Sequence, residues 1–229
     1  MGERMKFYGQ ARQDEALWYA LFQNEPPGYF VDVGAHDGAS FSNTLAFEES
    51  GWRGVCIEAH PDYIERLTLM RPHSEIVHAA AGPQNLSSVT LYATPFGFLS
   101  TVDLSDVATL DSTQGYDSQG RFVAQVPMMT LDVILHGVNA PNNVDLICID
   151  TEGYEVEVLK GLTLSWWRPR ILMLEAFDAA HKEKVIQWMA GSGYKLARII
   201  GVDMIYCRYA DDSERLEKWQ EPTFTPDSR

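Results

Sequence analysis

The sequence predicts an α/β domain: a mostly parallel sheet with helices on both faces and an antiparallel hairpin at its C-terminal edge. Three observations lead there. Short apolar, β-branched runs alternate with segments of helical spacing, the pattern of βαβ units. A strand runs directly into a glycine-containing turn between Tyr29 and Gly38, and two strand-like runs close around Gly201. At 229 residues, a single domain over 1–229 accounts for the length.

In chain order, residues 1–27 are expected as an N-terminal helical segment, with Leu17, Ala20 and Leu21 spaced to pack on the sheet or cover a ligand. Strands are expected at Tyr29 to Val33, Gly54 to Glu58, Glu75 to Ala80, Asp145 to Asp150 and Ile171 to Phe177. Pro61 suits a first helical position, and Ile64, Leu67 and Met70 then share one face. Val156, Leu159 and Leu162 repeat that spacing after the fourth strand. Residues 87–127 break the alternation with two strand-like runs, SVTLYA and RFVAQVPM, and are expected as an inserted hairpin or lid. The runs YKLARIIG and DMIYCRY form the terminal hairpin, and residues 211–229 are expected as a polar, mobile tail.

Composition narrows the function classes. With 45% hydrophobic and 22% charged residues the chain is an ordinary globular one. Its net charge of -14, with no basic stripe, opposes a nucleic-acid partner. Cys56, Cys148 and Cys207 each lie in an apolar run, so they are expected as core residues rather than as disulfides or a metal knuckle. No signal core, membrane span or myristoylation start is evident, which leads to an expectation of a cytoplasmic protein without a membrane partner; homo-oligomerisation stays open.

The most informative segment is Y-F-V-D-V-G-A-H-D-G, where a strand enters a turn with Gly34 and Gly38. Such a turn lets a nucleotide-like ligand approach the backbone without meeting a Cβ. Its spacing is D-x-G-x-x-x-G, and the third glycine of the dinucleotide fingerprint is missing, which weighs against NAD or FAD. A ligand with an amino-acid tail and a sulfonium, S-adenosylmethionine, suits the looser loop, with Asp32 available to its ammonium group. The second strand ends at Glu58, placed to accept from two ribose hydroxyls at the crevice edge. Capping of the following helix at His60 and Pro61 is the alternative role for Glu58.

The fourth strand ends in I-D-T-E-G-Y-E-V-E-V-L-K-G, putting Asp150 and Glu152 at its carboxyl end, where open sheets bind ligands. Glu155 is expected instead to favour the start of the next helix.

These segments, with I-E-A-H-P and the T-L-D at Thr130 to Asp132, resemble the successive motifs of the FkbM-like methyltransferases over roughly Tyr29 to Phe177. The resemblance implies a Rossmann-like class I methyltransferase fold, S-adenosylmethionine as cofactor, and O-methylation of a sugar, glycan or small natural product. Carried over by position, Asp32, Gly34 and Gly38 form the cofactor loop, Glu58 holds the ribose, and Asp150 lies near the transferable methyl. Ala35, His36, Ser42, Asn43 and Ala80 complete the expected cofactor site. The sequence departs from the pattern at Ala59-His60-Pro61 and at Thr151, neither of which removes a group the cofactor needs.

Asp150, Glu152 and His36 are the candidate catalytic residues, since an alcohol needs a base within hydrogen-bond reach as it attacks. A loop residue bonded to backbone is the alternative for His36. Asp150, Glu152 and Glu175 could supply oxygen ligands to Mg²⁺, but no metal is required. His73, His78 and His181 show no ligand spacing and are expected on the surface or in packing; Trp166 and Trp167 are expected in the core or an interface. Phe96, Phe98, Ser100 and Tyr116 of the inserted region are expected to recognise the acceptor. A nicotinamide oxidoreductase and a non-catalytic scaffold are the competing classes.

Overall fold

The computed structural model describes residues 5–93, 100–103, 114–116 and 122–220. The first helix, α1 (Gln13–Leu17), continues into a π-wound turn over Trp18–Phe22. Then come β1 (Tyr29–Val33), α2 (Leu45–Glu49), β2 (Arg53–Glu58), α3 (Pro61–Met70) and β3 (Ser74–His78). A second group follows: β4 (Ala80–Ala81), β5 (Leu86–Ala93), β6 (Ser100–Asp103), β7 (Gln114–Tyr116) and β8 (Phe122–Met129). The chain returns through α4 (Leu131–Gly137), β9 (Leu146–Ile149), α5 (Glu155–Lys160), α6 (Leu164–Trp167) and β10 (Ile171–Glu175). It ends with α7 (Ala179–Met189), β11 (Lys195–Ile200), β12 (Asp203–Cys207) and α8 (Ala210–Lys218).

The main sheet has the order β11-β12-β10-β9-β1-β2-β3, and β12 alone runs against the others. Side-chain alternation divides its residues between two cores. Val31, Val55, Ile147, Leu172 and Met204 face α4, α5, α6 and α7. Phe30, Cys56, Cys148, Met173 and Ile205 face α1, α2, α3 and α8. The expected helices on both faces follow from strands apolar on both sides. All three cysteines are free and buried, on the second face.

Three expectations need correction. The third strand ends at His78; Ala80 and Ala81 leave the main sheet and pair with Met128 and Met129 of β8. The inserted region is therefore more than a hairpin. SVTLYA and RFVAQVPM do pair, as β5 and β8, but within a five-stranded second sheet with its own core of Val89, Leu91, Phe122, Val126 and Met128. The tail expected from 211 onward instead begins as α8, packed on the domain. Burial of Leu216 contributes roughly 1.5–3 kcal/mol, and Arg170 donates to both carboxylate oxygens of Asp212 at 2.8 Å, so this polar helix is anchored. No helix among the described residues is long and apolar enough to cross a membrane.

Candidate active site

The sheet reverses its strand order between β1 and β9, and outside their carboxyl ends such sheets open a crevice. A cleft of about 410 Å³ lies there. Its walls come from the β1 loop, the ends of β2, β9 and β10, the Ala79–Ala81 crossing, Leu91 of the second sheet, and Gln10 of the N-terminal segment.

The turn after β1 is built for proximity and rigidity. A Cβ on Gly34, at φ +83°, would lie 1.8 Å from the main-chain oxygen of Asp150, so only glycine lets β1 and β9 close. Four of the turn's N–H groups are already engaged. Those of Gly34 and Ala35 donate to the Ile57 carbonyl, that of His36 to Glu58 Oε2 at 2.7 Å, and that of Gly38 to the Ala35 carbonyl. The unobstructed approach to backbone N–H groups expected at this turn is thereby narrowed, since these four already have protein acceptors. Asp37 stiffens the next turn by accepting from the N–H groups of Ala39 and Ser40, which, with His36 beside it, hold its pKa at about 2 despite the opposing effect of burial. Gly38 does not line the cleft: it packs against Arg71 and Leu67, where a Cβ would come within 2.9 Å of each.

Glu58 accepts from His36 N–H with one oxygen and from His60 N–H with the other, both at 2.7 Å, and so ties the β1 turn to the β2 turn. Burial raises its pKa, opposed by these same bonds. A carboxylate oxygen can accept more than one hydrogen bond, and Glu58 also lines the cleft. The helix-capping alternative goes to His60, whose Nδ1 accepts from Asp62 N–H and whose ring stacks on Phe122.

Asp32 lies at the cleft floor, and its Oδ2 accepts from Thr44 Oγ1 and faces Arg71 Nη1 at 3.5 Å. Burial raises its pKa, against the pull of Arg71. Its Oδ1 has no protein partner among the described residues. Ser42 and Asn43 line the same end, with Ser42 Oγ also accepting from Leu45 N–H at the start of α2.

At the other end carboxylates gather. Asp150 opens into the cleft yet is closely surrounded by protein; burial, then the neighbouring Glu175, with which it shares a hydrogen bond, raises its pKa well above the usual range. Glu152, held at φ +55°, is raised to about 7 by burial and then by Asp150. Glu175 is raised to about 7 by burial and then by Glu152, and Asp203 to about 6, again by burial. Oxygens of Asp150, Glu155 and Glu175 come within 4.8 Å of one another, so the carboxylate trio of this sheet edge contains Glu155 where Glu152 was expected. Glu155 has structural work of its own: Oε1 accepts from the N–H groups of Thr151 and Gly153, and Oε2 meets Nε2 of the buried His181 at 2.6 Å.

Of the sequence-derived cofactor residues, Asp32, Gly34, Ala35, His36, Ser42, Asn43, Glu58, Ala80 and Asp150 share this one cleft, with Glu152, while Gly38 stands behind it. The His36 ring lies 3.9 Å from that of Tyr63, and burial lowers its pKa. Thr130 caps α4, and Asp132 accepts from Thr163 and from Trp167 Nε1, so the T-L-D segment is scaffold. Trp167 is core and Trp166 is exposed; His78 is exposed, and His181 is a buried packing residue. Phe96 and Phe98 lie outside the described residues, and Ser100 and Tyr116 are described only as backbone in β6 and β7. Sequence reasoning missed Arg71, Asp203 and Gln13, whose Nε2 donates to Asp203 Oδ2. No motif marks any of the three; they meet the site only through the fold.

The cleft suits S-adenosylmethionine. Asp32, Glu58, Asp150, Glu152, Glu175 and Asp203 line it, and among the described residues no lysine or arginine does, which matches a ligand carrying an ammonium and a sulfonium. A diphosphate would face these carboxylates, and the arginines beside the β1 turn, Arg66 and Arg71, are already paired with Asp37, Glu48 and Asp32. Residues 32–196 match the family model described as Methyltransferase FkbM domain. No curated protein matches the chain. Among solved structures it is similar to a precorrin-6y C5,15-methyltransferase from Geobacter metallireducens, at 12% identity over 85% of this chain and 77% of that one, TM-score 0.43. It is similar to a TehB-like SAM-dependent methyltransferase from Corynebacterium glutamicum, at 12% identity over 88% and 86%, TM-score 0.41. A human methyltransferase 10 domain containing protein shares 10% identity over 90% and 87%, TM-score 0.44.

Proposed function

Because the chain belongs to the FkbM family of methyltransferases, with S-adenosylmethionine as methyl donor, we propose that it methylates a hydroxyl group on a sugar, a glycan or a small natural product. The observation that carries this reading is the group Asp150, Glu152 and Glu175 at one end of the cleft, carboxylates whose pKa values burial and mutual repulsion raise, those of Glu152 and Glu175 to about 7. A neutral alcohol is a weak nucleophile, and a base titrating near the working pH is what it needs.

The cofactor, when bound, supplies a methyl group on a positively charged sulfur. On this reading Asp32 Oδ1 takes its ammonium group, and the free lone pairs of Glu58 take the ribose hydroxyls. Ala59, Ala79 and Ala80 leave a slot between β2 and the strand crossing for the adenine. Asp150 then sits beside the reacting centre and, in its ionised form, accepts the acceptor's proton on a carboxylate oxygen, while Glu175, its hydrogen-bond partner, orients it. Gly34 and Glu58 fix the loops, so that alignment supplies much of the rate.

The same six carboxylates favour a second reading, an amine acceptor, and disfavour phosphorylated acceptors and nucleic acid. The test is transfer of a labelled methyl group to panels of neutral sugars, phenols and amines, with products read by mass spectrometry. Methyl ethers support the proposal. Transfer confined to amines replaces it, and cofactor binding without transfer to any panel favours a non-catalytic role.

A further inference from the structure

Behind the cofactor end of the cleft lies a charged side chain that touches no solvent. Arg71 follows the last turn of α3, where Pro72 stops the helix, and its side chain is fully buried. Its guanidinium gathers four segments. Nε donates to Glu48 Oε2 of α2 at 2.7 Å, Nη2 to Thr44 Oγ1 at 2.8 Å, and Nη1 faces Ser42 Oγ at 3.3 Å, the Gly38 carbonyl at 3.4 Å and Asp32 Oδ2 at 3.5 Å. The Phe30 ring closes the other side at 5.1 Å. Glu48 is anchored in turn by His73 N–H and Ser74 Oγ.

Ser42 lines the cleft and Thr44 adjoins Asn43, which does, yet Arg71 is absent from its walls. With Oδ2 of Asp32 engaged by Thr44 and Arg71, Oδ1 is the oxygen left to the cleft. We propose that Arg71 is a positioning residue for the amino-acid end of the cofactor: it fixes the rotamer of Asp32 and the path of residues 38–44, and acts on the ligand only through them. Only a planar five-donor fork can hold these partners together; a lysine offers a single point charge. This inference rests on the cofactor placement proposed above.

The experiment is calorimetric titration of wild type, Arg71→Lys and Glu48→Gln with S-adenosylmethionine and, separately, with adenosine, which lacks the amino-acid end. Thermal melting verifies the fold of each variant. The expected result is an S-adenosylmethionine Kd raised about tenfold or more in Arg71→Lys, with the adenosine Kd changed by about twofold at most. Glu48→Gln, which keeps the guanidinium but frees one of its anchors, should move in the same direction and carries the test if Arg71→Lys does not fold. Parallel loss of both ligands, or loss of neither, overturns the inference while leaving the cofactor assignment standing. A wild type that binds adenosine and S-adenosylmethionine equally overturns both.

Discussion

Gly34 and Asp150 meet where the sheet reverses, so closely that the Cβ position of the glycine lies 1.8 Å from the main-chain oxygen of the aspartate. The backbone can adopt φ +83° there only at a strain penalty for any other residue. Gly34→Ala should therefore destabilise the whole domain by about 3 kcal/mol or more, beyond any effect on ligand binding. Urea unfolding checks this. A variant of native stability that merely loses cofactor would show that the glycine is there for the ligand.

The same pair shows how far the sequence could be read. The parallel strands emerged within a residue or two because each is a short apolar run bounded by turn residues. Gly34, Glu58 and Asp150 emerged because strand ends beside a switch point leave little freedom about where they lead. Gly38 reads as a ligand residue because spacing does not say which side of a turn a residue faces; it faces Arg71. The second sheet was hidden because Ala80 and Ala81 continue an apolar run but pair with β8 residues some fifty positions away. Arg71, between Met70 and Pro72, resembles a surface charge until α2 and α3 are packed around it. Asp203 reaches the cleft only because β12 inserts between β10 and β11, an order that local pattern does not encode.

Glu58 has two roles, and two variants separate them. Glu58→Gln keeps the size of the side chain but presents an amide to one of the N–H groups of His36 and His60, so S-adenosylmethionine binding should fall about tenfold, or about 1.4 kcal/mol. Glu58→Ala frees both turns, so it should lower the melting temperature as well as the affinity. Calorimetry and melting on both variants check this; unchanged affinity in both would remove Glu58 from the cofactor site.

The raised carboxylates also set a pH dependence with opposite signs for stability and activity. Glu152 and Glu175 titrate at about 7 in the folded protein and near 4.3 in the unfolded chain. Between those values the native state holds protons that the unfolded state has released, so their contribution to stability is present at the lower end and is lost as pH rises toward 7. Asp37, lowered to about 2, acts in the opposite sense but only below about 4, while His36 and His60, lowered by burial, oppose the carboxylates within the window and are outnumbered by Glu152, Glu175, Asp150 and Asp203. The melting temperature should fall from pH 5 to pH 7.5, and Glu152→Gln should flatten that slope. A slope unchanged in the variant would place the proton uptake elsewhere.

Turnover should rise with pH, because a base must be unprotonated to accept a proton, and Asp150 is the residue on which the reaction should depend most. It stands at the end of β9 against Gly34, opens into the cleft, and shares a hydrogen bond with Glu175, whereas Glu152 approaches from the following turn at φ +55°. Asp150→Asn preserves shape and removes the proton acceptor, so it should lower turnover by about a hundredfold while leaving S-adenosylmethionine affinity within a few fold. Glu175→Gln should have a smaller effect, because it alters the orientation and basicity of Asp150 without removing the acceptor oxygen. If Glu152→Gln matched the Asp150→Asn loss, the two would be acting as one proton-sharing unit, and their double variant would be no slower than either single one. The measurement is single-turnover methyl transfer at saturating cofactor, with the fold of each variant checked by melting. Near-wild-type rates in Asp150→Asn and Glu152→Gln together would leave His36, 3.9 Å from Tyr63 and with its pKa lowered by burial, as the base to examine next.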